Sequence, residues 1–199
     1  MNRLSAIQTA PVQTIATARL SVPTSGEGFF EITEDVVHFL KQIGAYDGAV
    51  LIYLRHTSAS LVIQENADPD VRTDLVTALN RLAPADAGWV HEVEGPDDMP
   101  AHVKSMLNGV TLQVPVFKGE VALGTWQGIY LAEHRSTVHQ REVGFCSFPD
   151  PARSANAQWT GACGRGGGGR SRRGSGNMRR EPSRLTGASH WARPSFIIF

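Results

Sequence analysis

Gly48-Ala49-Val50-Leu51-Ile52-Tyr53-Leu54 is a continuous apolar run that ends in Arg55-His56, and it anchors the interpretation of the whole chain. Its length and its β-branched and aromatic residues predict a strand that is covered on both faces. A second extended segment is predicted over 58–64. The polar residues between the two segments therefore lie at a strand end, where a rigid scaffold commonly presents functional groups.

Helical and extended patterns follow one another irregularly around this run. Helices are predicted over 34–43, with Thr33 as the N-cap, over 69–82, and from about 97 to 107. Further strands are predicted over 11–22, 110–116, 120–126, 128–134 and 139–148, with a hairpin turn at 117–119. Because the helices do not alternate regularly with about seven strands, the pattern predicts an α+β fold rather than a doubly wound sheet.

Charge divides the chain into two unlike regions. Residues before 144 carry 10 Lys and Arg against 17 Asp and Glu, and residues from 144 onward carry 9 against 2, so the net charge of zero is a cancellation. Segment 150–190 has almost no apolar content and is predicted to be disordered. The composition thus predicts one domain over 1–148 and a Gly/Arg-rich tail over 149–199.

Cysteine usage and hydropathy predict the cellular setting. The two cysteines, Cys146 and Cys163, have neither the spacing of a zinc site nor that of a disulfide framework. The N-terminal residues lack the apolar stretch of a signal peptide, and no later run approaches membrane-spanning length. A cytoplasmic location without membrane contact is therefore expected.

The first polar block follows the opening strand and extends from His56-Thr57-Ser58 to Asn66-Ala67-Asp68-Pro69-Asp70. His56 either contributes to a site or satisfies loop carbonyls as a capping residue, and both interpretations stay open. The segment from Asn66 to Asp70 is typical of an Asx turn that caps a helix, a role that can coexist with ligand binding.

The second polar block contains the densest cluster of metal-competent side chains in the chain. His91 and His102 bracket Glu94-Gly95-Pro96-Asp97-Asp98, and their eleven-residue spacing is not by itself a metal motif. Imidazole nitrogens and carboxylate oxygens suit a divalent ion such as Zn²⁺ or Mn²⁺. The alternative is a polar loop whose carboxylates are solvated.

The third block runs from Gly124-Thr125-Trp126-Gln127-Gly128 into a strand that ends in Glu133-His134-Arg135. Strand alternation places Glu133 and Arg135 on one face and His134 on the other, so the three are not expected in one pocket. Arg135 either holds a phosphate or carboxylate in its planar fork or pairs with Glu133. Trp126 is expected to pack in the core, and the glycines permit close backbone approach.

Together these blocks and Gly28-Phe29-Phe30-Glu31-Ile32-Thr33 resemble the YjbQ family in order and spacing, from about Thr14 to Val143. The resemblance implies a single α+β domain with a β-sandwich-like core and two to three helices, assembled as a homotrimer. It also implies a divalent ion, Zn, Mn or Mg, in a polar pocket near the subunit boundaries. The implied metal ligands are His91, His102 and His134, the implied catalytic residues His56, Asp68, Asp97, Asp98 and Arg135, and the implied substrate-binding residues Thr57, Ser58, Asn66, Gln127 and Glu133.

The family is often labelled secondary thiamine-phosphate synthase, which implies weak condensation of hydroxymethylpyrimidine diphosphate with thiazole phosphate, both small phosphate-bearing molecules. Weak activity is expected because the chain has no known Gly-rich phosphate loop and is too short for the eight-fold barrel of a dedicated synthase. The alternatives are a metal-assisted hydrolase that uses the same site, and a trimer that binds a metal or small ligand without turnover. Nucleic-acid binding is considered only for the tail. The tail lacks interleaved aromatics between Gly161 and Arg184, which counts against such binding.

The chain departs from the family pattern after Val143. A long Gly/Arg-rich tail follows where the family would close with a short alternating strand. A frameshift in a GC-rich gene would produce such a tail. That hypothesis predicts an altered final strand and an exposed sheet edge.

Overall fold

The computed structural model describes residues 14–148 and the backbone of residues 150 and 151. Apart from that residue pair, the predicted tail over 149–199 lies outside the described residues, as do residues 11–13 of the first predicted strand. The described strands and helices, in chain order, are β1 (Ala16–Thr24), β2 (Gly28–Glu31), α1 (Thr33–Gln42), β3 (Ala45–Leu54), β4 (Ala59–Glu65), α2 (Pro69–Leu82), α3 (Asp98–Asn108), β5 (Thr111–Phe117), β6 (Glu120–Val121), β7 (Gln127–Glu133), β8 (His139–Ser147) and β9 (Asp150–Pro151).

Two antiparallel sheets organise these strands. The larger sheet has the order β1-β8-β3-β5-β6, with β9 also paired to β3, and the smaller sheet has the order β2-β7-β4. Strand β8 pairs with β1 along its full length and with β3 from Val143 to Ser147, so it lies inside the larger sheet rather than at its edge. The opening apolar run lies in β3, a central strand paired with both β8 and β5. Only one of its faces is fully buried, since Tyr53 is 49% exposed, so the predicted cover on both faces is not complete in the protomer.

A single hydrophobic core fills the space shared by the two sheets and α1. Val50, Ile52 and Leu54 of β3 are fully buried, and Leu61 and Leu131 contribute from the smaller sheet. Burial of large aliphatic side chains of this kind contributes about 1.5–3 kcal/mol each. The predicted α+β class with a sandwich-like core in one domain is confirmed. Among the described residues, none of the helices combines the length and the apolar character that a membrane crossing requires.

The helices begin and end where local chemistry favours it. Asp68 caps α2 by accepting a 2.9 Å hydrogen bond from the backbone N–H of Asp70, and Pro69 occupies the first turn, where no N–H is needed. Helix α3 ends at Gly109, which has a φ of 87°. The predicted bounds of α2 are confirmed, because Asp-Pro is a strong helix start.

Thr33 is not the N-cap of α1, contrary to the prediction. It is the first helical residue, and Ile32 occupies the cap position without a side-chain hydrogen bond. The Thr33 hydroxyl is engaged elsewhere, since it donates to Glu31 and accepts from the backbone N–H of Ile129. The side chain therefore ties α1 to β2 and β7.

The predicted strand over 120–126 is reduced to β6 at Glu120–Val121. The chain turns between Gly124 and Gln127, where the N–H of Gln127 donates to the Gly124 carbonyl and the Gln127 side chain accepts from the Gly124 N–H. The turn leaves Trp126 65% exposed, so its predicted place in the core was wrong. Its carbonyl accepts a hydrogen bond from the Asn66 N–H instead.

Candidate metal centre

Three metal-competent side chains of the second block converge at the start of α3. The Nε2 atom of His91 lies 2.8 Å from Oδ2 of Asp98, and Nε2 of His102 lies 3.3 Å from the same oxygen. One candidate ligand atom from each residue falls within 4.8 Å of the other two. The structure thus brings together two predicted metal ligands and a residue predicted to be catalytic.

Helical spacing explains why Asp98 and His102 lie together. Asp98 begins α3 and His102 follows four residues later, so both project from one face of the helix. His91 is brought back over the helix start by the preceding loop, in which Gly95 has a φ of 107° and its carbonyl accepts from the Asp98 N–H. A side chain at residue 95 would be strained in that conformation.

The hydrogen bond of His102 to β4's entry loop fixes its tautomer. Nδ1 of His102 lies 3.0 Å from the carbonyl oxygen of Thr57. A carbonyl can only accept, so Nδ1 carries the hydrogen and the lone pair of the neutral ring is on Nε2, towards Asp98. This orientation by an outer hydrogen bond is typical of metal-binding histidines.

Arg135 holds the other side of the Asp98 carboxylate. Its guanidinium donates to Oδ1 of Asp98 and, at 2.6 Å, to the carbonyl oxygen of Glu94, and its Nε lies 3.3 Å from Asp97. Asp98 is almost completely buried, and Oδ2 is left for the two histidines. Arg135 therefore positions Asp98, and its fork is occupied by protein acceptors rather than turned to a phosphate.

Asp97 reinforces the same loop. The backbone N–H and the hydroxyl of Ser136 both donate to its Oδ2 at 2.8 Å. Partial burial acts to raise the pKa of Asp97, but the hydrogen bonds from Ser136 and the neighbouring Arg135 guanidinium outweigh it and lower the pKa to about 2. The carboxylate is thus ionised and committed to this contact at neutral pH.

Glu133 pairs with Arg141 rather than with the Arg135 side chain. Nε and one terminal nitrogen of Arg141 each donate to Glu133 at 2.6 Å, and both residues are fully buried. Thr24 and the backbone N–H of Arg135 supply further donors. Burial acts to raise the pKa of Glu133, and the hydrogen bonds from Arg141 and the backbone lower it below its usual value. The side-chain pair of Glu133 with Arg135, one of the two alternatives left open for Arg135, is therefore not formed, and the fork of Arg135 holds the Asp98 carboxylate instead.

Arg141 extends this network to His56. It donates to the Ser58 hydroxyl at 3.2 Å, and that hydroxyl lies 3.1 Å from Nδ1 of His56, which also accepts from the Ser58 N–H at 3.2 Å. Because Nδ1 accepts, the hydrogen of the neutral ring is on Nε2. Burial and the charge of Arg141 lower the pKa of His56, which favours that neutral ring.

His134 lies outside the cluster of His91, Asp98 and His102. Its Nε2 is 2.8 Å from the hydroxyl of Ser60, and its side chain is buried. Burial and the nearby charge of Lys104 lower the pKa of His134 to about 4. His134 and Arg135 follow the end of β7 and contact different partners, Ser60 and Asp98 respectively, so the two side chains do not share one cluster.

Three other residues of the predicted site have local roles in the structure. Asp68 is exposed and caps α2, and the Gln127 side chain closes its own turn. The backbone of Asn66 bonds to the same turn. The contacts described for these three residues do not reach the histidine cluster.

An open cleft of about 820 Å³ adjoins the cluster. His56, Thr57 and His102 line it, which joins the first and second polar blocks at one surface. It also contains residues that sequence analysis missed, among them Tyr53, Arg55 and Met106. For Tyr53 the signal is the alternation of β3, which turns it to the face opposite the buried Leu54.

Known proteins share both the sequence and the fold of this chain. The family model described as UPF0047 protein YjbQ-like matches residues 18–147. The UPF0047 protein sll1880 of Synechocystis is 44% identical over 125 residues, covering 62% of this chain and 85% of that protein. The UPF0047 protein YjbQ of Escherichia coli O157:H7 is 41% identical over 125 residues, covering 62% and 91%.

A solved structure agrees with this assignment. The conserved hypothetical protein TT1486 from Thermus thermophilus superposes with a TM-score of 0.58 at 39% identity, and the match covers 64% of this chain and 97% of that one. The range matched by the family model contains every strand from β2 to β7 and the whole histidine cluster. The chain belongs to the UPF0047, YjbQ-like family.

Proposed function

We propose that the chain is a divalent-metal-dependent enzyme that acts on phosphate-bearing small molecules, and that its reaction is slow thiamine-phosphate synthesis. One observation carries the proposal: two imidazole Nε2 atoms and one carboxylate oxygen converge at the start of α3. Nitrogen and oxygen donors of this kind suit Zn²⁺ or Mn²⁺, and three protein ligands leave a position open for a substrate.

The tautomer of His102 supports a cation at this position. Since Nδ1 donates to Thr57, the neutral ring presents a lone pair to an oxygen of Asp98 at 3.3 Å. Two acceptors this close, one of them on a nearly buried carboxylate, are satisfied either by a proton on the ring or by a cation beside them. A metal ion would satisfy both at once, and the donor set fits the group that the family resemblance implies.

The surrounding residues have defined roles in the proposed reaction. The thiazole nitrogen forms a bond to the methylene carbon of the pyrimidine substrate while the bond from that carbon to the diphosphate oxygen breaks, and the electron pair leaves with pyrophosphate. A bound divalent ion supplies Lewis-acid stabilisation of the phosphate oxygens. Arg135 holds Asp98 in place, and His56 offers a neutral N–H to the leaving group.

A metal-assisted hydrolase is the second candidate. The specific observation in its favour concerns Arg135. The synthase interpretation assigned this cation to the pyrophosphate, but its guanidinium already contacts Asp98, Asp97 and the Glu94 carbonyl. A site with two histidines and one carboxylate is sufficient for hydrolysis without an extra arginine. Binding without turnover is the third outcome that the experiment distinguishes.

The proposal extends to assembly and location. We propose a homotrimer, because apolar side chains such as Trp126 and Val138 are 65% and 77% exposed in the protomer. A cytoplasmic location is proposed from the low cysteine content, two in 199 residues.

Metal analysis combined with product formation tests the proposal. The purified wild type is expected to carry a stoichiometric divalent ion, and His91→Ala and His102→Ala are expected to lose it while keeping the fold, because ligands at an open site contribute more to chemistry than to the core. His38→Ala is the matched control, since His38 is exposed on α1 and, among the described residues, its ring bonds to Gln42 alone. Thiamine phosphate is then measured from the two precursors.

Each result has a distinct meaning. Unchanged metal content in both variants would contradict the ligand assignment. Product above a heat-killed control, lost in the two variants and kept in His38→Ala, supports the synthase. Phosphate release without condensation favours the hydrolase, and bound metal with neither product favours the binding trimer.

A further inference from the structure

We propose that the cleft beside His102 binds a planar, phosphate-bearing molecule, with Arg55 as the phosphate contact and Tyr53 as the platform for the ring. The substrate class rests on the proposed function, but the two residue assignments rest on the cleft itself. They move the anion-binding role from Arg135 to Arg55.

Arg135 cannot readily serve a phosphate. Its guanidinium is already held by the Asp98 carboxylate and the Glu94 carbonyl, with Asp97 beside its Nε, and its side chain is only 11% exposed. A phosphate would have to displace those acceptors and leave the Asp98 charge unpaired in a buried position, which is strongly unfavourable.

Arg55 has the opposite environment. Its side chain is 59% exposed, lines the cleft, and is paired with Glu142 at 2.5 Å. The other oxygen of Glu142 lies 3.9 Å from Arg19, so two guanidinium groups share one carboxylate and a positive charge is left over. Exposed pairs of this type are weak, and a dianionic phosphate can recruit the planar fork of Arg55.

This local surplus stands out against the rest of the domain. Residues before 144 carry 17 acidic against 10 basic side chains, so an anion is repelled by most of the surface. The shared carboxylate at Arg19 and Arg55 therefore marks a place where an anion gains rather than loses electrostatic energy.

Tyr53 supplies a flat apolar surface next to this charge. It lies two residues before Arg55, which directly follows β3, and both side chains line the cleft. The Tyr53 side chain is 49% exposed. Its partner across the ladder on β8 is Gly144, which has no side chain to cover the ring. Met106 and Val110 add apolar surface to the cleft, so an aromatic ring of a ligand can stack there.

The cleft joins these groups to the histidine cluster. His102 and His56 line the same space as Tyr53 and Arg55. A planar molecule that stacks on Tyr53 and places its phosphate at Arg55 would therefore lie alongside the candidate metal centre.

Calorimetric titration of the full chain tests the assignment with three probes, 4-nitrophenyl phosphate, inorganic phosphate and 4-nitrophenol, in low salt with a chelator. The wild type is expected to bind the ester more tightly than either fragment. Arg55→Met should weaken ester binding at least tenfold, the loss expected for a charge-assisted contact. Tyr53→Val should weaken it about threefold to tenfold and leave phosphate binding unchanged.

Two further variants complete the test. Glu142→Gln should tighten ester binding, because it frees Arg55, and Arg81→Met, which removes an exposed arginine at the end of α2, should change nothing. Ester binding that is equal in the wild type and Arg55→Met, or absent in the wild type, would overturn the proposal. Because the chelator excludes metal, a failed thiamine-phosphate assay contradicts the proposed function alone and leaves this binding result intact.

Discussion

The two carboxylate oxygens of Asp98 contact different groups. Oδ1 is held by Arg135, and Oδ2 faces His91 and His102. Because the carboxylate is buried, both of its oxygens need a polar or charged partner. One residue thereby connects the end of β7, which delivers Arg135, to the start of α3.

His134 gives the folded state a pH dependence. Its pKa is lowered from 6.5 to about 4 by burial and by Lys104, so the unfolded chain binds a proton more readily than the folded one. The stabilisation is present above pH 6.5 and is lost as the pH falls from 6.5 towards 4. The free energy of unfolding should decrease by about 3 kcal/mol over this window on account of His134 alone.

Chemical denaturation at pH 7, 5.5 and 4 measures this effect. His134→Gln, which cannot titrate, is the matched variant, and its unfolding free energy should fall less steeply than that of the wild type. Asp97 does not interfere, because its pKa is lowered from 3.8 to about 2 and its contribution is lost below this window. Parallel pH profiles for the two proteins would show that His134 is not the group responsible.

At the scale of elements, Gly128 allows β7 to lie against its neighbours. A Cβ at this position would meet Oε1 of Glu31 at 2.8 Å and Cε2 of Tyr130 at 2.9 Å. The Tyr130 ring is buried and cannot move freely. Gly128→Ala should therefore reduce the free energy of unfolding by about 1–3 kcal/mol through overpacking.

Gly144→Ala is the control for the Gly128 prediction. It lies in β8, and its added Cβ would approach the backbone oxygen of Tyr53 only to an ordinary 3.7 Å. Urea denaturation should give a change within about 0.5 kcal/mol for this variant, the range of harmless substitutions. Equal destabilisation of the two variants would mean that sheet propensity rather than crowding determines the cost.

Local sequence chemistry explains which elements could be predicted. The start of helix α2 could be predicted because the Asp68 side chain caps it and Pro69 occupies its first turn. Segment 120–126 could not be predicted correctly, because its apolar residues suggested a strand, whereas a hydrogen-bonded turn at Gly124 redirects the chain. Hydrophobicity likewise could not place Trp126, since a turn decides its exposure.

The site shows the same division between local and distant information. The His91 to His102 block could be found from its density of ligand-type side chains. Arg141 and Arg55 could not, because their roles depend on partners in other strands, Glu133 and Glu142. Arg141 alternates with Val143 and Phe145 on the buried face of β8, and this position was the sequence signal of a buried ion pair.

At the scale of the whole molecule, the proposed homotrimer would cover apolar residues that the protomer leaves exposed. Trp126 is a large aromatic residue, yet its side chain is 65% exposed. Its backbone is fixed by Asn66, so the ring is presented on a defined turn rather than a loose loop. A large aromatic held in this way is typical of an interface anchor.

A homotrimer should therefore depend on Trp126. Sedimentation of the wild type at micromolar concentration is expected to give three times the chain mass of 21.6 kDa. Trp126→Lys should shift the distribution towards monomer, because it replaces an apolar anchor by an unpaired charge in each of the three interfaces. Trp126→Phe keeps an aromatic ring and should remain trimeric. A wild type that sediments as a monomer would contradict the assembly, and a trimeric Trp126→Lys would place the subunit boundary elsewhere on the surface.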